Sequence, residues 1–183
     1  MENRIFKIIV TNKTNVDEVL EYQSTKHYIE EDLSKELFDI VKDEDIDFLW
    51  NNNKNLRKDV ISLLNDIIED KDYKEIVEIV RSIRYKTNGR YVYIIKDDLY
   101  KEFKKYLKKD INIRIRRIKE IMSKLNDKNI SSDMWYISTL AYPNFGYKFY
   151  DMYKLYLYNT MGLYQLLCTN KTLIIVDSYE YSC

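Results

Sequence analysis

The chain of 183 residues holds only 3 glycines, 1 proline, 1 histidine and 2 cysteines, and each shortage closes off a class of chemistry. Gly89, Gly146 and Gly162 lie far apart, whereas a phosphate-cradling loop needs closely spaced glycines so that backbone N–H groups can reach the anion. P-loop and dinucleotide-binding readings fall on that ground. The lone His27 excludes a metal site built on paired histidines, and Cys168 with Cys183 cannot complete a cysteine-rich zinc site even with its help. Asp43, Asp45 and Asp47 open like a calcium loop, but Phe48 stands where glycine is required and Lys54 where the bidentate glutamate belongs. No metal and no cofactor is therefore expected. Cys168 follows Leu166 and Leu167 and reads as core, with no neighbour that would lower a thiol pKa. No catalytic residue is nominated. A dispersed carboxylate site is the one enzymatic reading left, and abundant Asp and Glu give it no specific spacing.

Long apolar runs are missing too. No window approaches the run of about 20 apolar residues that spans a membrane, since Lys148, Asp151 and Lys154 interrupt even the most aromatic stretch. Met1 to Val10 is charged and alternating, unlike a signal peptide. The expectation is an intracellular, cytoplasmic protein with free thiols and no membrane partner. Heavy use of Lys, Asn, Ile, Asp and Tyr is what AT-rich codons give, as in some viruses, phages and low-GC bacteria.

With so little glycine and proline, tight turns are few and helices joined by Asn, Asp and Lys connectors are favoured. Arg4 to Val10 is β-branched and ends in a polar turn, so it reads as a strand. Helices are expected from Asn15 to about His27, through Leu33, Leu37, Ile40 and Val41, from an Asn53 cap through Leu56 to Ile68, and from Asp72 through Ile83. Phe48, Leu49 and Trp50 should tuck the acidic connection Asp43 to Asp47 against the core. Arg90 to Ile95 reads as a strand and Leu173 to Val176 as another, paired with the first so that both termini share a sheet. Two further helices are expected, one capped by Asp97 or Asp98 and carrying Leu99, Phe103, Tyr106 and Leu107, the next carrying Ile111, Ile115, Ile118, Met122 and Leu125. Met134 to Tyr142 fits helix or strand. Tyr147 to Cys168 supports a helix through Tyr150, Tyr153, Leu157, Met161 and Tyr164, weakened by about 1 kcal/mol at Gly162 relative to alanine. The whole is an α+β fold, a mostly helical single domain over 1–183 with a small sheet formed by N-terminal, central and C-terminal strands.

Formal neutrality hides a division of charge. Residues 1–80 carry 11 Lys/Arg against 20 Asp/Glu, residues 81–126 carry 15 against 5, and the aromatic-rich remainder balances. Lys101, Lys104, Lys105, Lys108, Arg114, Arg117 and Lys124 lie opposite apolar stripes and form a candidate phosphate-binding face; basic and acidic helices packed side by side would instead neutralise one another. Tyr85, Tyr91, Tyr93 and Tyr100 are interleaved with these cations, where bases could stack. Such a dipolar chain also permits self-association into a homo-oligomer.

Met134 to Cys168 gathers Trp135, Phe145, Phe149 and a series of tyrosines. Large aromatics mostly belong to a core, but tyrosine is also enriched at interfaces, which nominates Trp135, Tyr147, Tyr150, Tyr153 and Tyr156 as partner-binding residues. The leading expectation is a non-enzymatic interaction protein that binds a protein or nucleoprotein partner, in the manner of a small viral or mobile-element inhibitor of a host system. The alternative is a DNA- or RNA-binding domain that uses the basic helices of 97–126.

Overall fold

A computed structural model describes residues 3–13, 15–21, 48–51 (backbone only), 56–87, 89–141 and 146–182. The expected helix through Leu33 to Val41, the acidic run Asp43 to Asp47, His27, Asn53, Tyr142 and Cys183 lie outside them. In chain order the described elements are β1 (Arg4–Thr11), α1 (Val16–Glu21), β2 (Phe48–Asn51), α2 (Leu56–Ile67), α3 (Tyr73–Ser82), β3 (Arg84–Thr87) and β4 (Arg90–Lys96). They continue with α4 (Asp97–Met122), α5 (Ile130–Ala141), β5 (Tyr147–Asp151), β6 (Tyr156–Tyr158), α6 (Thr160–Cys168) and β7 (Thr172–Ser182). All the strands join one mixed sheet of order β3-β4-β7-β1-β5-β6, with β2 also paired to β7, and the fold is α+β.

The sheet is organised around β7. β1 runs antiparallel along one edge of it, from Arg4 opposite Glu180 to Thr11 opposite Thr172, so the two terminal strands pair as their β-branched composition predicts. The other edge is shared. β4 pairs with Thr172 to Ile175, and β2 pairs further along with Tyr179 to Ser182. Phe48 to Trp50 therefore form a strand where a tucked connection was expected. On one face Phe6, Ile8, Leu173, Ile175 and Phe149 pack against α2, α3, α4 and α6. On the other, Ile9, Ile174, Val176 and Val92 meet α1, and Ile5 meets Tyr150, Tyr179 and Tyr181.

Helix ends follow local chemistry. Asp72 caps α3 in a reciprocal box: its Oδ1 accepts from Glu75 N–H at 2.9 Å, and Glu75 Oε2 accepts from Asp72 N–H at 2.9 Å. Asp72→Ala should cost about 1 kcal/mol in chemical denaturation, and an unchanged midpoint would show the cap to be idle. At α4 the expected Asp97 or Asp98 cap does not form. Lys96 occupies the cap position without a side-chain bond, and Asp97 adopts φ 56°, a left-handed conformation that Asp tolerates better than most residues.

The long aromatic helix expected over Tyr147 to Cys168 is instead β5, a turn, β6 and α6. Tyr147 and Phe149 face the helical side while Tyr150 faces the other, a strand's period of 2 inside what looked like helical spacing. Asp151 ends the strand, its Oδ1 accepting from Tyr153 N–H at 2.8 Å and Lys154 N–H at 3.2 Å. Gly162 is not a simple weak point, because a Cβ there would come within 2.8 Å of Tyr158 Cδ1.

Burial pushes the Asp151 carboxyl above its ordinary 3.8, more than the two backbone N–H bonds and Lys154 pull it down. A raised folded-state pKa means that the protonated carboxyl favours the fold: its contribution is full below about 3.8 and is lost as pH rises through the folded-state value. Asp151→Asn keeps the accepting oxygen and removes the buried charge. It should therefore raise the melting temperature at neutral pH, by an increment that shrinks to nothing below about pH 3.8. An increment constant with pH would refute the charge-burial account.

Candidate functional site

The 26-residue α4 is about 39 Å long at 1.5 Å per residue, and its buried residues end at Leu107, before its midpoint. Tyr100, Phe103 and Leu107 are buried; beyond them no residue from Lys108 to Ala141 is. The second half of α4 and the whole of α5 thus form a helical arm. Two separate helices were expected over 97–125, with Ile111, Ile115, Ile118, Met122 and Leu125 as the apolar face of the second. The structure runs both segments into one helix and leaves that stripe only partly covered, with α5 packed beside it.

Polar bonds fix the root of the arm. Arg114 Nε donates to Asp110 Oδ2 at 2.7 Å, and its Nη1 donates to the carbonyl of Leu140 at 3.3 Å, tying α4 to the end of α5. Thr160 Oγ1 donates to the same Asp110 oxygen at 3.3 Å, which ties both to α6. At the other end of the contact with α6, in the first turn of α4, Tyr100 Oη donates to the carbonyls of Leu167 at 2.9 Å and Asn170 at 3.0 Å. Burial pushes the Tyr100 hydroxyl far above its ordinary range, so it remains a donor at any physiological pH. The bonds of Asp110, Arg114 and Thr160 fix the place where the arm leaves the rest of the fold.

The arm's surface is unusually apolar. Of the 11 exposed large hydrophobic residues among those described, Ile115, Met122, Ile130, Met134, Trp135 and Tyr136 all lie on it. Trp135 is 66% exposed and Met122 57%, and the Trp135 and Tyr136 rings meet edge to face with centroids 6.0 Å apart. A lone exposed apolar side chain means little, but a group on one element marks a contact surface. Met134 and Tyr136 lie in the aromatic stretch that suggested a contact face, although neither was nominated individually; Ile115 and Met122 carried no signal as surface residues, because an amphipathic stripe looks the same whether a core or a partner covers it.

The nominated aromatics divide. Trp135 is on the arm. Tyr147 and Tyr150 are buried: Tyr147 Oη donates to Asp66 Oδ2 at 2.7 Å, and Tyr150 packs with Ile5 and Tyr179, so both serve the core and neither can form a contact face. Tyr153 and Tyr156 are exposed on the β5–β6 hairpin, where Tyr156 meets Tyr158 at 4.8 Å. Cys168, expected in the core, is exposed.

The nominated cations divide as well. Lys101 pairs with Asp98, Lys105 with Glu102, and Arg114 is spent on the arm's root. Lys104 is half-buried, and the neighbouring Lys109 pairs with Glu69. Lys108, Arg117 and Lys124 are exposed and have no carboxylate partner among the described residues, as do Arg116 and Lys119 beside them. Of the interleaved tyrosines, Tyr85 donates to Asp17, Tyr93 and Tyr100 are buried, and Tyr91 is exposed.

Among the described residues no group of three or more His, Cys, Asp or Glu could hold a metal ion, and no helix is long and apolar enough to cross a membrane. Comparison of the chain with protein-family models, characterised proteins and solved structures returns no match.

Proposed function

We propose that this chain is an interaction protein that docks a protein partner through the α4–α5 arm. The observation that carries the reading is the exposed set Met122, Ile130, Met134, Trp135 and Tyr136 on a helical arm that buries none of its residues from Lys108 to Ala141. Trp, Tyr and Met are residues enriched at such interfaces. The rim of the arm is basic: Arg116, Arg117, Lys119, Lys124 and Lys128 are exposed, against Glu120 and Asp127. The partner that fits is an apolar groove with an acidic border. Two copies of the arm fit poorly against each other, since their like-charged rims would meet.

The test is recovery of partners from native extract by the wild-type chain and by Trp135→Ala/Tyr136→Ala. Loss of one protein species from the variant, with the fold intact, supports the reading; equal recovery by both removes it.

A second reading, nucleic-acid binding by α4, rests on the open surface lined by Lys105, Lys108, Lys109, Asn112, Ile113 and Arg116. Because Lys105 and Lys109 are already ion-paired, it requires Lys108, Arg116, Arg117 and Lys119 to supply the phosphate contacts. Affinity that falls steeply with salt would favour it, and no binding at low salt would end it.

A further inference from the structure

Between the α2–α3 turn and α4 lies a cleft of about 290 Å³ whose lining residues are all described. Buried Ile67 and Ile68, with the ring of Tyr106, give it an apolar base. Glu69, Asp70 and Lys71 border it on the turn, and Glu102, Lys105 and Lys109 border it on α4, where they share a face with Tyr106 at helical spacing.

These groups are not equally committed. Lys109 Nζ donates to Glu69 Oε1, and that bond with the lysine charge holds the Glu69 carboxyl below its ordinary 4.5, so this pair is already satisfied. Lys71 stands 3.9 Å from Glu75 and Lys105 3.9 Å from Glu102, both as exposed pairs, and such pairs contribute little and open readily. Asp70 has no cation partner among the described residues, and the Tyr106 hydroxyl makes no hydrogen bond among them, unlike those of Tyr100 and Tyr147. Burial pushes the Tyr106 hydroxyl above its ordinary range, and Asp110 and Asp66 push it the same way, so it stays protonated and a donor. Three residues before Asp70, α2 ends at Ile67, where backbone carbonyls without helical partners carry partial negative charge. The turn thus offers acceptors to a cation, while α4 offers donors to an anion. The volume stands at the small end of ligand sites, which run from about 300 to 1,000 Å³, so both charges belong to one small molecule.

We propose that the cleft between α4 and the α2–α3 turn binds a free amino acid with an apolar side chain. Its ammonium group is held by Asp70 and the carbonyls at the end of α2, its carboxylate by Lys105 and the Tyr106 hydroxyl, and its side chain rests on Ile67 and Ile68.

The test is calorimetric titration of the full chain with leucine, methionine and phenylalanine, and with three analogues of leucine: 4-methylpentanoate, which lacks the ammonium group, 3-methylbutylamine, which lacks the carboxylate, and leucinamide, which presents its ammonium as a peptide N-terminus does. At least one of the amino acids should bind saturably, and leucine should bind at least tenfold more tightly than any of its analogues. Asp70→Asn, Lys105→Gln and Tyr106→Phe should each weaken the amino acid about tenfold, while Lys124→Gln at the far end of α4 changes nothing. Asp70 and Lys105 are exposed and Tyr106→Phe keeps the ring, so these variants should retain the wild-type melting temperature. An analogue that binds as tightly as leucine, affinity insensitive to Asp70→Asn and Tyr106→Phe, or no saturable binding of any of the three amino acids at millimolar concentration would overturn the proposal. Because Trp135 and Tyr136 lie on α5 and line no part of the cleft, Trp135→Ala/Tyr136→Ala should leave amino-acid affinity unchanged, so this site stands or falls separately from the arm.

Discussion

Asp59→Ala is expected to lower the unfolding free energy by about 3–5 kcal/mol, the range found when one partner of a buried ion pair is removed. Asp59 projects from α2 into the helical face of the sheet and is 1% exposed. Its Oδ2 accepts from Arg4 Nη1 at 3.2 Å and from Ser178 Oγ at 2.6 Å, so a single carboxylate joins β1, α2 and β7. Alanine removes a buried countercharge of Arg4 and the acceptor of the Ser178 hydroxyl, which is the costly part of the change. Asp59→Asn keeps an acceptor of the same shape and should cost less. Urea denaturation of both variants measures this directly. A loss below about 1 kcal/mol for alanine, a value typical of exposed pairs, would mean that water reaches Arg4 and that the network does not hold the sheet to α2.

The second large effect falls on association and spares stability. Trp135→Ala should weaken partner binding by about 2 kcal/mol, roughly 30-fold, the usual threshold for a central aromatic anchor. It should change stability by no more than about 0.5 kcal/mol, as surface substitutions do, since α5 contributes no buried residue to the core. Tyr136→Ala should behave in the same way with a smaller loss, its ring touching Trp135 at the edge. If either substitution instead lowered the melting temperature substantially, the arm would be part of the folding unit and its exposed aromatics would need another explanation.

Much of the architecture was legible in local patterns. β1, β4 and β7 announced themselves through β-branched runs, α2 through apolar spacing at 3 and 4 residues, and α3 through Asp72 and the stripe of Ile76, Val77, Val80 and Ile83. What misled was spacing that serves two structures. Tyr150, Tyr153 and Leu157 recur as on a helix, yet Asp151 folds the chain into a hairpin by capping two backbone amides, and β1 supplies a parallel partner that no local pattern records. β2 was missed for a similar reason, since only β7 makes a strand of Phe48 to Asn51. The candidate site was legible by half. Trp135 stood out by its type, but Ile115 and Met122 lie on an apolar stripe whose periodicity is that of a covered helix, Ile130 sits in a polar stretch that reads as a connector, and the departure of α4 from the sheet after Leu107 depends on tertiary packing.

The central claim is that the arm is where a protein partner docks, and site-resolved photocrosslinking tests it most directly. A benzophenone side chain is placed in turn at position 135, on the arm, at position 108, on the basic face of α4, and at position 73, where Tyr73 is 65% exposed on α3. Each chain is irradiated in native extract with and without nuclease. The account predicts one discrete protein adduct from position 135, unchanged by nuclease and absent from positions 108 and 73. Adducts of equal yield from all three positions, or a nuclease-sensitive adduct from position 108 with none from 135, would contradict it.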